Sequence, residues 1–460
     1  MEADDWILRD RQGNRYLNFQ ASYGALNQGS GNPRVEGAVN DEGLHTGGVL
    51  SGALKDPSSA ILLREIERIF GKDFPYAIFG INSGAEAEET VMKMALFDAK
   101  GKGQISNEKA GKFIVAKGCF HGRTLGTVGS STQPTYTEPY GKLLTQDMFY
   151  HTKFGTPDGV QEMRALLEAD QATGGKNEIV AIMVEPVQGE GGIRVPYDRY
   201  LRDIRALCNK FRVLMILDEV QTGVGRTGYP LAYMHEDEEG DGVQPDIIAV
   251  AKSLSGGSLP ASAVFMTKEI AKRVIPGMHG STLGGNPKAN RAIIAALKEM
   301  VDRELCKKSE ENGEWFRGEL QKIADACPDV IKEVRGRGMF IGIEMYENPT
   351  PITKALLGST VRFRGEEFTG IFCKGSPRTN TIRISPPLTM PREALEATLC
   401  AIATAFGHPT PEQFRNPDVE RPQTIAERAG DLVEEARYWE RRFDRFWQDV
   451  REPNAMPEAA

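Results

Sequence analysis

The chain is poor in the features that mark an oxidising compartment, a bilayer or a nucleic-acid surface. Cysteine occurs only six times in 460 residues, as Cys119, Cys208, Cys306, Cys327, Cys373 and Cys400. They form no CxxC pair and follow no regular spacing, which argues against a disulfide framework or a zinc site and leaves free thiols as the expectation. Cys119 is expected to be a buried structural thiol. No apolar run approaches the roughly twenty residues needed to cross a bilayer, so membrane insertion is set aside. A basic excess is also missing: Lys and Arg number 56 against 64 Asp and Glu, a net charge of -8. The chain therefore has no electrostatic footprint for nucleic acid or anionic lipid, and small-molecule chemistry suits the balance. Met1 to Trp6 is acidic, with neither the apolar core of a signal peptide nor an arginine-rich transit character, and the cytoplasm is the expected location. There are no internal repeats and no low-complexity tracts.

Two short segments carry most of what is present. Val213-Leu214-Met215-Ile216-Leu217 reads as a buried parallel strand that delivers Asp218 to its carboxyl end. Asp246-Ile247-Ile248-Ala249-Val250-Ala251 is a second such run and leads into Lys252. Ligands of open α/β sheets bind at strand carboxyl ends, so an acid and an amine leave the sheet toward one crevice. A lone strand-end lysine is usually solvated, and a lone strand-end aspartate is usually a helix cap. Together they fit pyridoxal phosphate, which needs a lysine to hold its aldehyde covalently and a carboxylate to keep its ring nitrogen protonated.

The companions of this pair are Asn82-Ser83-Gly84-Ala85-Glu86-Ala87, Phe120-His121-Gly122-Arg123-Thr124, Glu185-Pro186-Val187-Gln188-Gly189-Glu190-Gly191-Gly192, Gly280-Ser281-Thr282-Leu283-Gly284-Gly285-Asn286-Pro287 and Arg335-Gly336-Arg337-Gly338. In this order, from about Tyr16 to about Ala405, they resemble the class III family of pyridoxal phosphate aminotransferases, the ornithine, acetylornithine and 4-aminobutyrate type. Within it the ornithine branch is most similar, through Ser22-Tyr23-Gly24-Ala25-Leu26-Asn27-Gln28-Gly29, His279 to Thr282, and Ile382-Arg383-Ile384-Ser385-Pro386-Pro387-Leu388.

The resemblance implies a fold type I α/β enzyme: a large domain on a mainly parallel, seven-stranded type of sheet, with a smaller α+β domain. Residue roles follow from it. Lys252 holds the cofactor and then serves as general base, which needs an amine that is neutral part of the time, as burial allows. Asp218 pairs with the ring nitrogen, Gln221 with the phenolic oxygen, and Phe120 covers one ring face beside His121. Ser83, Gly84 and Ala85 hold the phosphate at a helix start, where free N–H groups and the helix dipole favour an anion. Thr282 reaches the phosphate from the other subunit, implying a homodimer with shared active sites, and Ser281 beside it is a further cofactor-binding residue. Glu185 is a supporting acid.

Substrate contacts are also implied by resemblance. Arg383 takes the α-carboxylate of glutamate and 2-oxoglutarate through its bidentate fork. Glu190 pairs with it when an ω-amino substrate binds, and Tyr23 and Arg123 surround the ornithine end of the pocket. Two departures stand out: Leu50 to Pro57 lacks the aromatics that line the pocket of ornithine aminotransferases, and Gln28 to Pro33 lacks their loop histidines. The expected reaction moves the δ-amino group of ornithine to 2-oxoglutarate in a ping-pong cycle through pyridoxamine phosphate. Other ω-amine donors stay open, namely N-acetylornithine, 4-aminobutyrate, diaminobutyrate, lysine and putrescine, as does a catalytically silent relative acting as an interaction module. Gly223 to Gly228 matches GxGxxG, the mark of a dinucleotide-binding dehydrogenase, but Tyr229-Pro230 follows where a helix should open.

The organisation expected along the chain is a 1–50 segment of the small domain with an active-site loop, a 51–290 cofactor-binding domain, a 291–408 small domain and a 409–460 charged helical extension. Apolar residues flank Asp10 to Asn14 as in a hairpin. Helical spacing runs from Pro57 to Phe70, from Glu86 to Phe97 and from Pro287 through Met300. The extension carries an apolar stripe at Leu432, Ala436, Trp439, Phe443, Phe446 and Val450.

Overall fold

The computed structural model describes residues 2–40, 57–71, 74–106, 110–140, 144–172, 178–239 and 243–407. The 409–460 extension and the departure at 50–56, including Lys55, lie outside the described residues.

Short apolar runs between 76 and 267 build one seven-stranded sheet. Across it the strands run Tyr76–Ile81, Ser262–Thr267, Ile247–Val250, Leu214–Asp218, Ile179–Val184, Lys112–Ala116 and Phe149–Thr152. Ser262–Thr267 is antiparallel to both neighbours, and every other pairing is parallel. Such a sheet must be apolar on both faces, because crossover helices cover both. The strand Leu214–Asp218 shows this: Met215 and Leu217 point into one core, Leu214 and Ile216 into the other. Each of these side chains contributes ~1.5–3 kcal/mol by leaving water.

The covering helices follow the expected spacing. Pro57–Phe70 is a helix with the bounds its sequence pattern predicts. The second helix is longer than the apolar pattern suggests, spanning Gly84–Gly101, because its start is set by a cap rather than by periodicity: Ser83 Oγ accepts from the Glu86 N–H at 3.2 Å. Pro287–Asp302 opens in the same way, with Asn286 accepting from the Ala289 N–H at 3.0 Å.

The chain then forms the helix Leu305–Ala326 and an antiparallel sheet in the order Ile331–Arg337, Phe340–Met345, Thr381–Ile384, Lys374–Ser376. The N-terminal residues return to this region. Ile7–Arg9 and Arg15–Asn18 make the expected hairpin around Asp10, and Arg15–Asn18 pairs in parallel with Gly370–Phe372. The strand Arg15–Asn18 therefore shares backbone pairing with the C-terminal part of the chain. The α/β fold has a large parallel-dominated sheet and a second, smaller body of strands and helices. Among the described residues no helix is long and apolar enough to cross a membrane.

Candidate active site

Register brings the two central residues together. Asp218 is the last residue of its strand and sits opposite Ala249 on the parallel neighbour, three positions before Lys252. Adjacent strands lie about 4.8 Å apart, so both side chains emerge at the same end of the sheet. They line a cavity of about 490 Å³ together with Phe120, His121, Glu185 and Gln221. Lys252 begins a short 3-10 turn and has a left-handed backbone (φ 46°). A non-glycine residue held there needs surrounding support. Ser253 supplies some, because its Oγ accepts from the Val224 N–H at 2.8 Å and donates to the Gly223 carbonyl at 3.1 Å.

The floor of the cavity is acidic, and Asp218, His121 and Glu185 are buried in it. Asp218 Oδ1 accepts from the Val220 N–H at 2.9 Å, and Oδ2 lies 2.7 Å from His121 Nδ1. Burial works against a charged His121, yet Cys119 and Asp218 outweigh it and hold the imidazole pKa well above its usual value. Glu185 accepts from the N–H groups of Gly189 at 3.0 Å and Phe120 at 3.3 Å. Burial, then the nearby Asp218 charge, pushes it up to about 7. Burial also pulls Lys252 down to about 8, with Asp218 opposing the change. A neutral amine is thus accessible near neutral pH, which a general base requires.

At one edge of the cavity the helix Gly84–Gly101 begins. Gly84 and Ala85 line the cavity, and as first-turn residues their N–H groups have no partner within the helix. These donors, the Asp218 lone pairs left over after two hydrogen bonds, the Lys252 amine and the aromatic wall of Phe120 fit pyridoxal phosphate group by group. Phe120 meets Tyr136 edge to face, with ring centroids 5.8 Å apart. Gln221 reaches across to donate from Nε2 to the Tyr23 carbonyl at 3.0 Å.

The residues expected around the substrate come largely from loops, with Arg383 on the strand Thr381–Ile384, and of Tyr23, Arg123, Glu190 and Arg383 only Arg123 lines this cavity. Ala21, Ser22 and Tyr23 all have left-handed backbones and carry Tyr23 outward, 41% exposed. Arg383 lies 5.8 Å from the Tyr23 ring centroid and pairs with Glu190. Burial opposes ionisation of Glu190, but Arg383, Lys252 and Arg378 prevail and hold its pKa below the usual value. Arg123 stacks over Tyr136 at 4.3 Å and lies 5.7 Å from Phe120.

Ser281 and Thr282 are placed elsewhere. Neither is among the residues lining this chain's own cavity; Ser281 Oγ instead accepts from Asn82 Nδ2 at 2.9 Å, and Thr282 is exposed. Cys119 is buried, with Sγ 3.2 Å from the Ser130 carbonyl, in keeping with a structural thiol. The GxGxxG match opens no helix. It is a buried turn in which Arg226 donates to the carbonyls of Met339 at 2.9 Å and Pro386 at 2.6 Å, and to Asn27.

Three further residues near these groups escaped sequence reasoning. Glu88 lines the floor next to Asp218; an acid one turn after Gly84, amid the apolar positions Ala87 and Val91, was its only signal. Arg378 donates to the Glu190 carbonyl at 3.1 Å and lies 5.4 Å from the Tyr136 ring. Tyr136 is thereby contacted by two guanidiniums. Nothing local in the sequence marks either.

Comparison with known proteins agrees with this geometry. The family model for aminotransferase class-III matches residues 1–406. An ornithine aminotransferase of Staphylococcus epidermidis is 38% identical over 408 residues, covering 88% of this chain and 93% of that protein. The ornithine aminotransferase structure from Toxoplasma gondii, which carries pyridoxal phosphate at partial occupancy, has a TM-score of 0.77 at 30% identity, covering 90% of this chain and 91% of that one. An acetylornithine aminotransferase from Elizabethkingia anophelis has a TM-score of 0.73 at 32% identity, over 88% and 92% of the two chains. The chain belongs to the class III aminotransferases and is a pyridoxal phosphate-dependent transaminase that exchanges an amino group between an amine donor and a keto acid.

Proposed function

We propose that the enzyme moves the δ-amino group of ornithine to 2-oxoglutarate, giving glutamate semialdehyde and glutamate. The observation that carries this reading is the Glu190–Arg383 ion pair, whose two charges both act on Lys252. Arg383 is almost fully buried, and a buried guanidinium without a partner is costly. While Glu190 neutralises it, an α-carboxylate gains little there, so an amine far from its own carboxylate enters with the amine toward Lys252. When 2-oxoglutarate arrives, its α-carboxylate replaces Glu190 on the guanidinium fork. Tyr23 and Arg123 then contact the far end of either substrate.

Bound pyridoxal phosphate supplies the electron sink that makes the substrate carbon acidic. The chain's own residues do the rest. Gly84 and Ala85 hold the phosphate end, Asp218 holds the ring-nitrogen end, and Phe120 and Val220 exclude water from the faces. Lys252 Nζ, made less basic by burial, takes the proton from the carbon that bears the transferred amine.

The names of the relatives support ornithine as donor, and the acetylornithine enzyme among the structural neighbours keeps the acylated amine as the principal rival. We also propose a homodimer in which Ser281 and Thr282 complete the partner's phosphate site; the exposed Leu283 beside them suits such a contact. The six free cysteines fit a reducing compartment, and we place the enzyme in the cytoplasm. The 1–50, 51–290, 291–408 and 409–460 division is proposed as its domain plan.

The test is a half-reaction: cofactor-loaded protein mixed separately with ornithine, N-acetylornithine, 4-aminobutyrate, diaminobutyrate, lysine and putrescine, following the cofactor absorbance. Fast conversion by ornithine is expected. Faster conversion by another amine reassigns the donor, and no spectral change with any of them defeats the catalytic reading.

A further inference from the structure

Resting on the cofactor assignment, one group at the cavity floor has no place in the chemistry above. Glu88 is 1% exposed, and neither carboxyl oxygen has a hydrogen-bond partner. A buried, unpartnered carboxylate is among the costliest groups a protein can hold. It sits one helical turn after Gly84, on the face that meets the cavity. A carboxyl oxygen of Glu88, a ring nitrogen of His121 and a carboxyl oxygen of Asp218 lie within 4.8 Å of one another, all buried.

We propose that Glu88 is a positioning residue for Asp218: a neutral carboxyl whose O–H is directed at the Asp218 carboxylate and fixes its charge toward the cofactor ring nitrogen. The hydrogen-bond inventory allows it. Asp218 offers about four lone-pair sites and uses two, on the Val220 N–H and on His121. One remains for the ring N–H and one for Glu88. The charges that face Glu88 decide where the proton sits. Asp218 and Glu185 are acids and His121 is a base that acts on Glu88, with Lys252 lining the same cavity. Two neighbouring carboxylates in a dry site do not both ionise. Asp218 already receives two donors and Glu88 receives none, so the charge settles on Asp218 and the proton on Glu88. Burial first, then Asp218, raises the Glu88 pKa well above its usual value, in the direction this arrangement requires. A divalent cation in the same trio would demand the opposite, with both carboxyls ionised.

The experiment uses the full chain freed of cofactor and reads two things besides turnover. The infrared difference spectrum of wild type minus E88Q at neutral pH is expected to show the carbonyl band of a protonated carboxylic acid. Titration with pyridoxal phosphate by equilibrium dialysis is expected to give an affinity for E88L lower by about tenfold, the size of a lost hydrogen bond to a charged acceptor. E88Q, whose amide N–H replaces the O–H donor, is expected to restore most of that loss, which a role in packing alone does not explain because leucine also fills the space. A spectrum without the acid band, an E88L variant that binds as tightly as wild type, or wild type isolated with a stoichiometric divalent ion each overturns the proposal. If wild type itself takes up no pyridoxal phosphate, the cofactor assignment fails along with it, and the two failures are told apart by that control. Should E88L not fold, the E88Q spectrum decides.

Discussion

The floor and the rim of the cavity are built on different physical plans. The floor, with Asp218, His121, Glu88 and Lys252, is presented by strand ends and a helix start; Asp218, His121 and Glu88 are buried and Lys252 is half-buried. The rim, with Tyr23, Arg123, Tyr136, Glu190, Arg378 and Arg383, comes largely from loops and mixes buried and exposed groups. Its charge is mostly positive, and its contacts are guanidiniums over rings and one strong ion pair. The difference separates two tasks. A dry, hydrogen-bonded floor shifts protonation states and so sets what chemistry happens. A half-wet rim of exchangeable cation, ring and carboxylate contacts decides which molecule is presented to it. Floor substitutions are therefore expected to act on every substrate alike, and rim substitutions to act on substrates differently.

The largest expected effect tests the floor. In the proposed roles of Lys252, K252A removes both the cofactor's covalent anchor and the base, and turnover is expected to fall by ~10⁴-fold or more with every donor, the upper range for a positioned general base. Circular dichroism should show an intact fold; substantial residual turnover would reject the assignment. Next is the rim: R383A is expected to lower kcat/KM for 2-oxoglutarate about 100-fold, or ~3 kcal/mol, the scale of a charge-assisted bidentate contact. An equal loss for oxo acids and for simple amines lacking a carboxylate would erase the distinction between the two regions.

A third expectation concerns what the floor costs. Lys252 falls from 10.5 to about 8 in the folded, cofactor-free protein. The unfolded chain binds more protons between those values, so stability rises as pH climbs through that window, and the full deficit is present below it. K252M is therefore expected to stabilise the cofactor-free protein at neutral pH by ~2 kcal/mol, with the gain shrinking as pH approaches 10. Denaturant melts at several pH values measure this, and a pH-independent difference would rule the explanation out. Smaller again, E190Q is expected to slow the ornithine half-reaction and speed the glutamate half-reaction, shifting their ratio about tenfold, because Arg383 is then always available. The smallest change is R378Q, which leaves Glu190 ionised but less firmly held. A rise in substrate KM of about threefold at unchanged kcat is expected, in line with the small worth of partly exposed ion pairs.

How much was legible beforehand varied with the kind of contact. Asp218 and Lys252 were readable because a strand is a local pattern, and a strand end in a parallel sheet has a known fate. Ser83 was readable because a cap is a property of three or four consecutive residues. The Glu190–Arg383 pairing came from resemblance, since 193 residues separate the two and no local rule joins them. Arg378 and Tyr136 were missed for the same reason. They meet only because the 374–384 strands and the loop after Phe120 are folded onto one edge of the cavity. Glu88 was missed for another reason: on a helix, an acid among apolar residues reads as an ordinary solvated position until burial is known. The GxGxxG segment is the converse, a local match that Tyr229-Pro230 already argued against and that folds into a turn where buried Arg226 is tied to distant carbonyls.

The sequence by itself determined the strands, the helix starts, the α/β class and the strand-end placement of Asp218 and Lys252, because each depends on side-chain periodicity or on groups a few residues apart. The tertiary structure alone decided which charges share a dry space. It set Glu88 against Asp218 and His121, lowered the basicity of Lys252, and gathered Arg378, Tyr136 and Arg123 at the rim. Protonation and electrostatic pairing depend on distance and on exclusion of water, and both come into existence only when remote segments pack together.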